Sequence, residues 1–471
     1  MIRALAICAL LLGAAAARAA EGPDALAALS AHPGGLTADE VARRAAATSL
    51  DARAKLDDVK AAAAQVDQAI AALFPRLQGS ARYVRLSPVD MPSLGTLIVA
   101  PPGAPTGVPL PPSTPLFAYP LTFPIPLDNT TLQATLSLPL SDYLLRLVQG
   151  LAAAKYSVEA ARLTERAARL KAAADGRALF YGWARARGQV AVAVQALGQA
   201  RAHLADVNVL YQQGMVSKAD VLRVDSQVAA TELLVERARG FVAVMGEQLH
   251  VVMHDGSGPL ELGEDVASRL PPDPAAPLDD LVREAESARF EVKAVRALHR
   301  TIAETVRLSR AGYYPRLDAF GEVDYQNPNQ RIFPLQDKFL ETWDVGVQLS
   351  WAPNDAGFAW ASVKQAQSKL DQVEAQQAGI LDGLRIELSQ AQQAAREAAL
   401  ADEVSTRGLA SAEESYRERR ELFKNGRATS VELSDAEADL TRARLEAVNA
   451  RVDLRIARVK LEHATGRDAR D

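Results

Sequence analysis

The 471-residue sequence predicts a mainly α chain in which long coiled-coil helices join four amphipathic strands. Three observations predict this: a unit that occurs twice, strict period-two alternation in four segments, and apolar residues recurring every seven positions along two long stretches. Residues 1–19 stand apart as an export signal. Arg3 supplies a small positive start, Ala4–Leu12 is apolar, and Ala17-Arg18-Ala19 suits a small-residue cleavage site. The single cysteine, Cys8, lies in that segment, so the expected mature chain has no disulfide, thiolate metal site or cysteine nucleophile.

Residues 36–73 are Ala-rich and helical in character. The first unit then alternates Leu77, Gly79, Ala81 and Tyr83 with Gln78, Ser80 and Arg82. Residues 86–127 hold twelve of the 25 prolines, which excludes helix and central strand and predicts an extended loop. The second alternating segment sets Leu132, Ala134, Leu136 and Leu138 against Thr131, Gln133, Thr135 and Ser137. Residues 141–253 are nearly free of proline, and Val221, Val228, Val235, Val242 and Leu249 recur by sevens. Glycines 176, 182, 188 and 198 are expected to kink or interrupt this helical stretch.

A punctuated linker, 254–279, leads to the second unit, 280–465, and a short tail, 466–471; the first unit is 20–253. Phe74-Pro75-Arg76-Leu77 is echoed by Tyr314-Pro315-Arg316-Leu317. Leu136-Ser137-Leu138 through Asp142 is echoed by Leu349-Ser350-Trp351 through Asp355, at an offset of 213. Leu317, Ala319, Gly321, Val323 and Tyr325 alternate with Asp318, Glu322 and Asp324, with Phe320 breaking the polar face. Trp343, Val345, Val347, Leu349 and Trp351 alternate with Asp344, Gly346, Gln348 and Ser350. In 356–465, Leu433, Leu440, Ala447, Leu454 and Leu461 form one heptad seam and Val431, Ala438, Leu445, Val452 and Val459 another. The seams lie roughly 200° apart at ~100° per residue. A helix with two apolar flanks has neighbours on both sides, as in a closed palisade or a filled multi-helix bundle.

Each alternating segment approaches the ~9–11 residues of a tilted membrane strand. Sixteen of the 25 aromatics fall in 74–143 and 313–360, as interface girdles require. The same alternation also fits a soluble sheet with one wet face. No apolar run after the signal reaches the ~20 residues of a membrane helix. Four strands cannot close a barrel, since about eight is the smallest closed form. If the strands span a membrane, copies of the chain must pool them, and a barrel of strands would open into a barrel of helices.

Taken together, these marks resemble the TolC-like outer-membrane efflux proteins over nearly the whole mature chain. Most specific are the two aromatic-x-x-Gly turns, Tyr211 to Gly214 and Phe423 to Gly426, each followed by an acidic helix start at Asp220 or Glu432. The resemblance extends the mainly α fold class to a membrane β-barrel: it implies a homotrimer with a twelve-stranded outer-membrane β-barrel set in lipid and a periplasmic helical barrel. It implies an exit duct for tripartite efflux or type I secretion, with an inner-membrane transporter and a periplasmic adaptor as partners. By the same resemblance, Tyr211, Gly214, Phe423, Gly426 and Arg427 belong to periplasmic tip turns that meet the adaptor. Glu432, Asp435 and Asp220 match residues of the channel constriction. Where some members carry a gate arginine this chain has Ala428, with Arg427 one position earlier. Asp220, Arg427, Glu432 and Asp435 are expected to form weak contacts that opening would break.

Other functions find little support. Without residues 1–19 the chain has 51 basic and 58 acidic residues, a net of −7, which disfavours nucleic acid. No phosphate loop, dinucleotide fingerprint, zincin motif or nucleophile elbow occurs, so no enzyme activity or cofactor is expected. His250 and His254 share a helix face without a third ligand. A periplasmic adaptor or soluble coiled-coil scaffold is the alternative reading; an adaptor would carry one hairpin and a compact β insert.

Overall fold

The structure, a computed structural model, describes residues 27–89, 95–104, 107–120, 126–256, 258–271 and 276–469. The expected export signal, with Cys8, lies outside the described residues. In chain order the elements are α1 (Ala38–Thr48), α2 (Leu50–Ala71), β1 (Arg76–Arg85), β2 (Thr96–Val99), β3 (Phe117–Pro120) and β4 (Asp128–Leu138). A short turn and a π-helical turn, Tyr143–Leu147, lead into α3 (Val148–Gln212), followed by α4 (Lys218–Met253), α5 (Leu278–Ala288) and α6 (Phe290–Arg310). The chain ends with β5 (Arg316–Asn327), β6 (Leu340–Ser350), α7 (Asp355–Lys424) and α8 (Ser430–Thr465). Two compact units result, one from residues up to Ala62, Tyr156–His299 and Asp371 onward, the other from Ala63–Lys155 and Arg300–Leu370.

The helical unit is packed around α1, α3, α4 and α8. Its core holds Leu29, Val41, Phe180, Trp183, Val192, Leu249, Leu262, Val266, Val448 and Val452. α1 starts where Thr37 accepts a hydrogen bond from the Glu40 amide at 3.2 Å, and acidic Asp39 and Glu40 complement its first turn. α3 runs uninterrupted for 65 residues, about 100 Å at 1.5 Å per residue. The four glycines expected to kink it do not break it. Two of them are notches: a Cβ at Gly176 would lie 2.9 Å from the Ala45 Cβ, and one at Gly188 2.7 Å from Val448 Cγ1. Helices approach closely there because the side chain is missing. Between α4 and α5, Leu262 pairs with Leu36 in an isolated parallel bridge, and both Leu262 and Val266 are fully buried. Arg451 reaches buried Asp402 at 2.6 Å, a charge-assisted pair joining α8 to α7.

The strand unit contains a four-stranded antiparallel sheet in the order β1-β4-β5-β6. Its register aligns the alternating segments so that every apolar row falls on one face. Leu136 stands between Leu77 and Gly321, and Gly321 faces Val345. Ala134 likewise stands between Gly79 and Val323, and Val323 faces Trp343. Phe320, which breaks the polar alternation, lies across from Gly346, where an added Cβ would meet its ring at 2.9 Å. The aromatic covers the strand glycine. The proline-rich segment is not wholly irregular, because β2 and β3 form a separate hairpin. Its paired run Thr96–Val99 is free of proline, and Pro120 sits at the last paired position of its partner.

Candidate functional site

Two places carry functional geometry: the turns between paired helices in the helical unit, and the surface of the sheet in the strand unit. The turns are built alike. At the first, Gly214 has φ 73°, its amide donates to the Tyr211 carbonyl at 2.9 Å, and the Met215 amide donates to Leu210 at 2.9 Å. At the second, Gly426 has φ 68°, with bonds to Phe423 at 2.9 Å and from Arg427 to Leu422 at 2.8 Å. Both are Schellman endings, which need a residue without a Cβ penalty in the left-handed region. A capping box follows each. Ser217 and Asp220 exchange bonds of 3.3 and 3.0 Å, and Thr429 and Glu432 exchange bonds of 3.2 and 2.8 Å.

Those caps occupy the two acidic residues. Hydrogen bonds from the Ser217 hydroxyl and amide hold the Asp220 carboxyl below the usual carboxylate range. Thr429 does the same for Glu432, first through its amide and then through its hydroxyl, and Arg419 adds to it. Glu432 is bridged to Arg419 at 3.0 Å, not to Arg427. The expected contacts among Asp220, Arg427, Glu432 and Asp435 are therefore absent among the described residues. Arg427 follows the left-handed glycine and is exposed, whereas Arg419 lies on α7 within reach of the start of α8. Asp435 is exposed and one turn beyond Glu432 on α8.

The two turn aromatics differ. Phe423 is 2 % exposed and packs with Val207, Val224 and Leu433. Tyr211 is 43 % exposed and does not tuck beneath its turn, in keeping with a phenol that keeps its hydroxyl wet. Beside Phe423 lies a group that sequence reasoning missed. His203 on α3 is buried edge-on to the Phe423 ring at 5.2 Å. Its Nδ1 is 3.2 Å from Glu437 Oε2 and its Nε2 3.2 Å from Ser430 Oγ, both on α8. Gln227 of α4 donates to the same Glu437 oxygen at 3.5 Å. All three of His203, Ser430 and Glu437 are buried, so this network fastens α8 to both helices of the first hairpin. A lone histidine on a long helix gives no motif from which to foresee it.

The sheet has two unlike faces. Leu77, Leu136, Val323, Trp343, Val345, Val347 and Leu349 are all exposed on the apolar one, Val345 at 73 %. On the polar face Glu322 accepts from Gln133 and, at 3.3 Å, from Thr135, and Ser80 bonds Gln133 at 3.4 Å. Arg331, from the β5–β6 connection, bridges Asp344, while Asn329 donates to Thr342 at 3.2 Å, so this connection folds back over the polar face. β1 and β6 each keep one edge without a strand partner among the described residues.

The model of the outer membrane efflux protein family matches residues 41–250 and 281–467, most of the chain and both repeats. The chain belongs to this family. It is accordingly an outer-membrane efflux channel, a member of a family of channel proteins. In fold it is similar to the solved structure of CusC, with TM-score 0.73 and 15 % identity, covering 91 % of this chain and 92 % of that one. It is similar to the Campylobacter jejuni outer membrane channel CmeC, with TM-score 0.72 and 14 % identity over 91 % and 85 % of the two chains. The Vibrio cholerae outer membrane protein VceC gives 0.69 and 16 %, over 91 % and 96 %. No curated protein matches the chain in sequence. No helix among the described residues is long and apolar enough to cross a membrane.

Proposed function

We propose that three copies of this channel pool their strands into a twelve-stranded barrel and their helices into a periplasmic duct. The observation that carries this reading is the sheet itself: four strands, two edges without a strand partner among the described residues, one face whose apolar rows are largely exposed, and the other lined by carboxylates, amides and hydroxyls. Open edges of 10 and 11 residues are a liability for an isolated chain and a closing surface for an assembly. An apolar outside with a polar inside is what a water-filled membrane barrel requires. The duct serves as the outer part of a tripartite efflux or type I secretion assembly, with a periplasmic adaptor and an inner-membrane transporter.

The turns at Tyr211–Gly214 and Phe423–Arg427 form the periplasmic tips that meet the adaptor. Asp220, Glu432 and Asp435 ring the constriction there, and threefold repetition makes it attractive to cations. The buried network around His203 supports a closed tip, since it binds the helix that carries Glu432 and Asp435 to its neighbours. Conductance of the purified protein in planar bilayers tests this. A salt gradient should give a cation-selective reversal potential that Glu432→Gln with Asp435→Asn moves toward zero. A selectivity unchanged by both substitutions contradicts the constriction, and an absence of channels contradicts the duct.

A further inference from the structure

The chain repeats itself, and one of its strand–helix junctions is completed internally while the other is left half-made. At the internal junction β4 pairs with β5. Arg316, from Tyr314-Pro315-Arg316-Leu317, reaches Asp142 at 3.1 Å, where the chain leaves β4 for the helix. Asp142 is 8 % exposed, and the adjacent Ser141 hydroxyl accepts from the Leu317 amide at 3.0 Å. The two sequence motifs that repeat are thus the two halves of one clasp.

The second copy of each half is also present in the chain. Arg76 stands where Arg316 does, 240 residues earlier, and Asp355 where Asp142 does, 213 residues later. Arg76 begins β1 and Asp355 follows β6, the two edge strands of the sheet. Both residues are exposed, and neither side chain has an ion-pair or hydrogen-bond partner among the described residues. Asn354, the counterpart of Ser141, likewise offers an acceptor.

We propose that Asp355 clasps Arg76 of a second copy of this chain, and that β6 pairs with that copy's β1 in the register that β4 and β5 already show. The proposal rests on the pooled barrel argued above. Carrying the observed pairs Leu138–Ala319, Ser137–Phe320, Leu136–Gly321 and Ala134–Val323 over by the two repeat offsets gives a definite register. Trp351 falls opposite Gly79, Ser350 opposite Ser80, Leu349 opposite Ala81 and Val347 opposite Tyr83 of the second copy.

The faces of the two strands agree in that register. Side chains alternate along a strand, so a slip of one residue would bring apolar rows against polar ones. Here Leu349 and Val347 meet Ala81 and Tyr83, all on the apolar exposed face, and Ser350 meets Ser80 on the polar one. Trp351 also covers Gly79 much as Phe320 covers Gly346 within the sheet. Charge complementarity and face matching therefore select one alignment of one occupant, a second copy of the chain.

The only native cysteine lies in the expected export signal, so introduced thiols report without interference. Ser80→Cys with Ser350→Cys should oxidise to a covalent three-copy species on non-reducing gels, because directly opposed strand residues lie within disulfide reach. Gln78→Cys with Ser350→Cys, displaced by two residues on the same face, should stay largely monomeric under the same oxidation. Asp355→Arg and Arg76→Asp should each lower the temperature at which the assembly dissociates, and the double exchange should recover most of the loss. Cross-linking through the displaced pair instead, or no recovery in the double exchange, overturns the clasp while leaving the pooled barrel standing. Failure of the native chain to form any assembly would instead overturn the pooled barrel.

Discussion

α4 and α8 are counterparts in the repeat, each 36 residues long, each opened by a capping box and closed by a left-handed residue. Yet α4 buries five residues and α8 seventeen. α8 packs on several sides within one chain and encloses even Arg451, Arg455 and Glu437. α4 leaves Leu222, Leu233, Val244 and Val251 exposed, from 51 to 61 %. The same heptad pattern thus yields one helix largely enclosed by its own chain and one that leaves an apolar flank exposed. The tips repeat the contrast, with Phe423 enclosed and Tyr211 open.

The strongest way to break this comparison is at the two aromatics. Phe423→Ala should cost about 3–5 kcal/mol in denaturant unfolding of the detergent-solubilised protein, because it empties an enclosed site. Tyr211→Ala should cost about 0.5 kcal/mol or less. Equal losses would show that the two tips are packed alike.

The polar network comes next. Glu437→Ala strands His203 and Ser430 and should cost about 1–3 kcal/mol. A double-mutant cycle with His203→Ala should show strong coupling between them. Asp225, the exposed counterpart of Glu437 on α4, should tolerate Asn within about 0.5 kcal/mol.

The smallest effects belong to the caps, where the two halves should behave alike. Ser217→Ala and Thr429→Ala should each cost about 1 kcal/mol. Because hydrogen bonding lowers the folded-state pKa of Asp220 and Glu432, the unfolded chain binds more protons in acid. Their contribution is present above the usual values of 3.8 and 4.5 and is lost as pH falls through the lowered folded values. Hydrogen exchange of the first turns of α4 and α8 should therefore show less protection on the acid side of the usual carboxylate range. The Ser217→Ala and Thr429→Ala variants should show little of that change.

Much of the fold was legible in the sequence because it rests on periodicity. Leu132 to Leu138 and Trp343 to Leu349 alternate strictly, and the sheet places both rows on one exposed face. Gly214 and Gly426 were legible because a left-handed ending almost demands glycine. Less was legible wherever tertiary contact decides. Gly176 and Gly188 look like helix breakers until Ala45 and Val448 are seen against them. Glu432 looks like a free surface acid until Thr429 and Arg419 are found on it, and nothing local marks His203 as the partner of Glu437.

The claim on which the whole account depends is that one chain supplies only part of a membrane pore. Mass spectrometry of the protein released from detergent micelles measures this directly. A species of three times the mature chain mass, recovered only from the membrane fraction, is predicted. A single-chain mass recovered from the aqueous extract would contradict it.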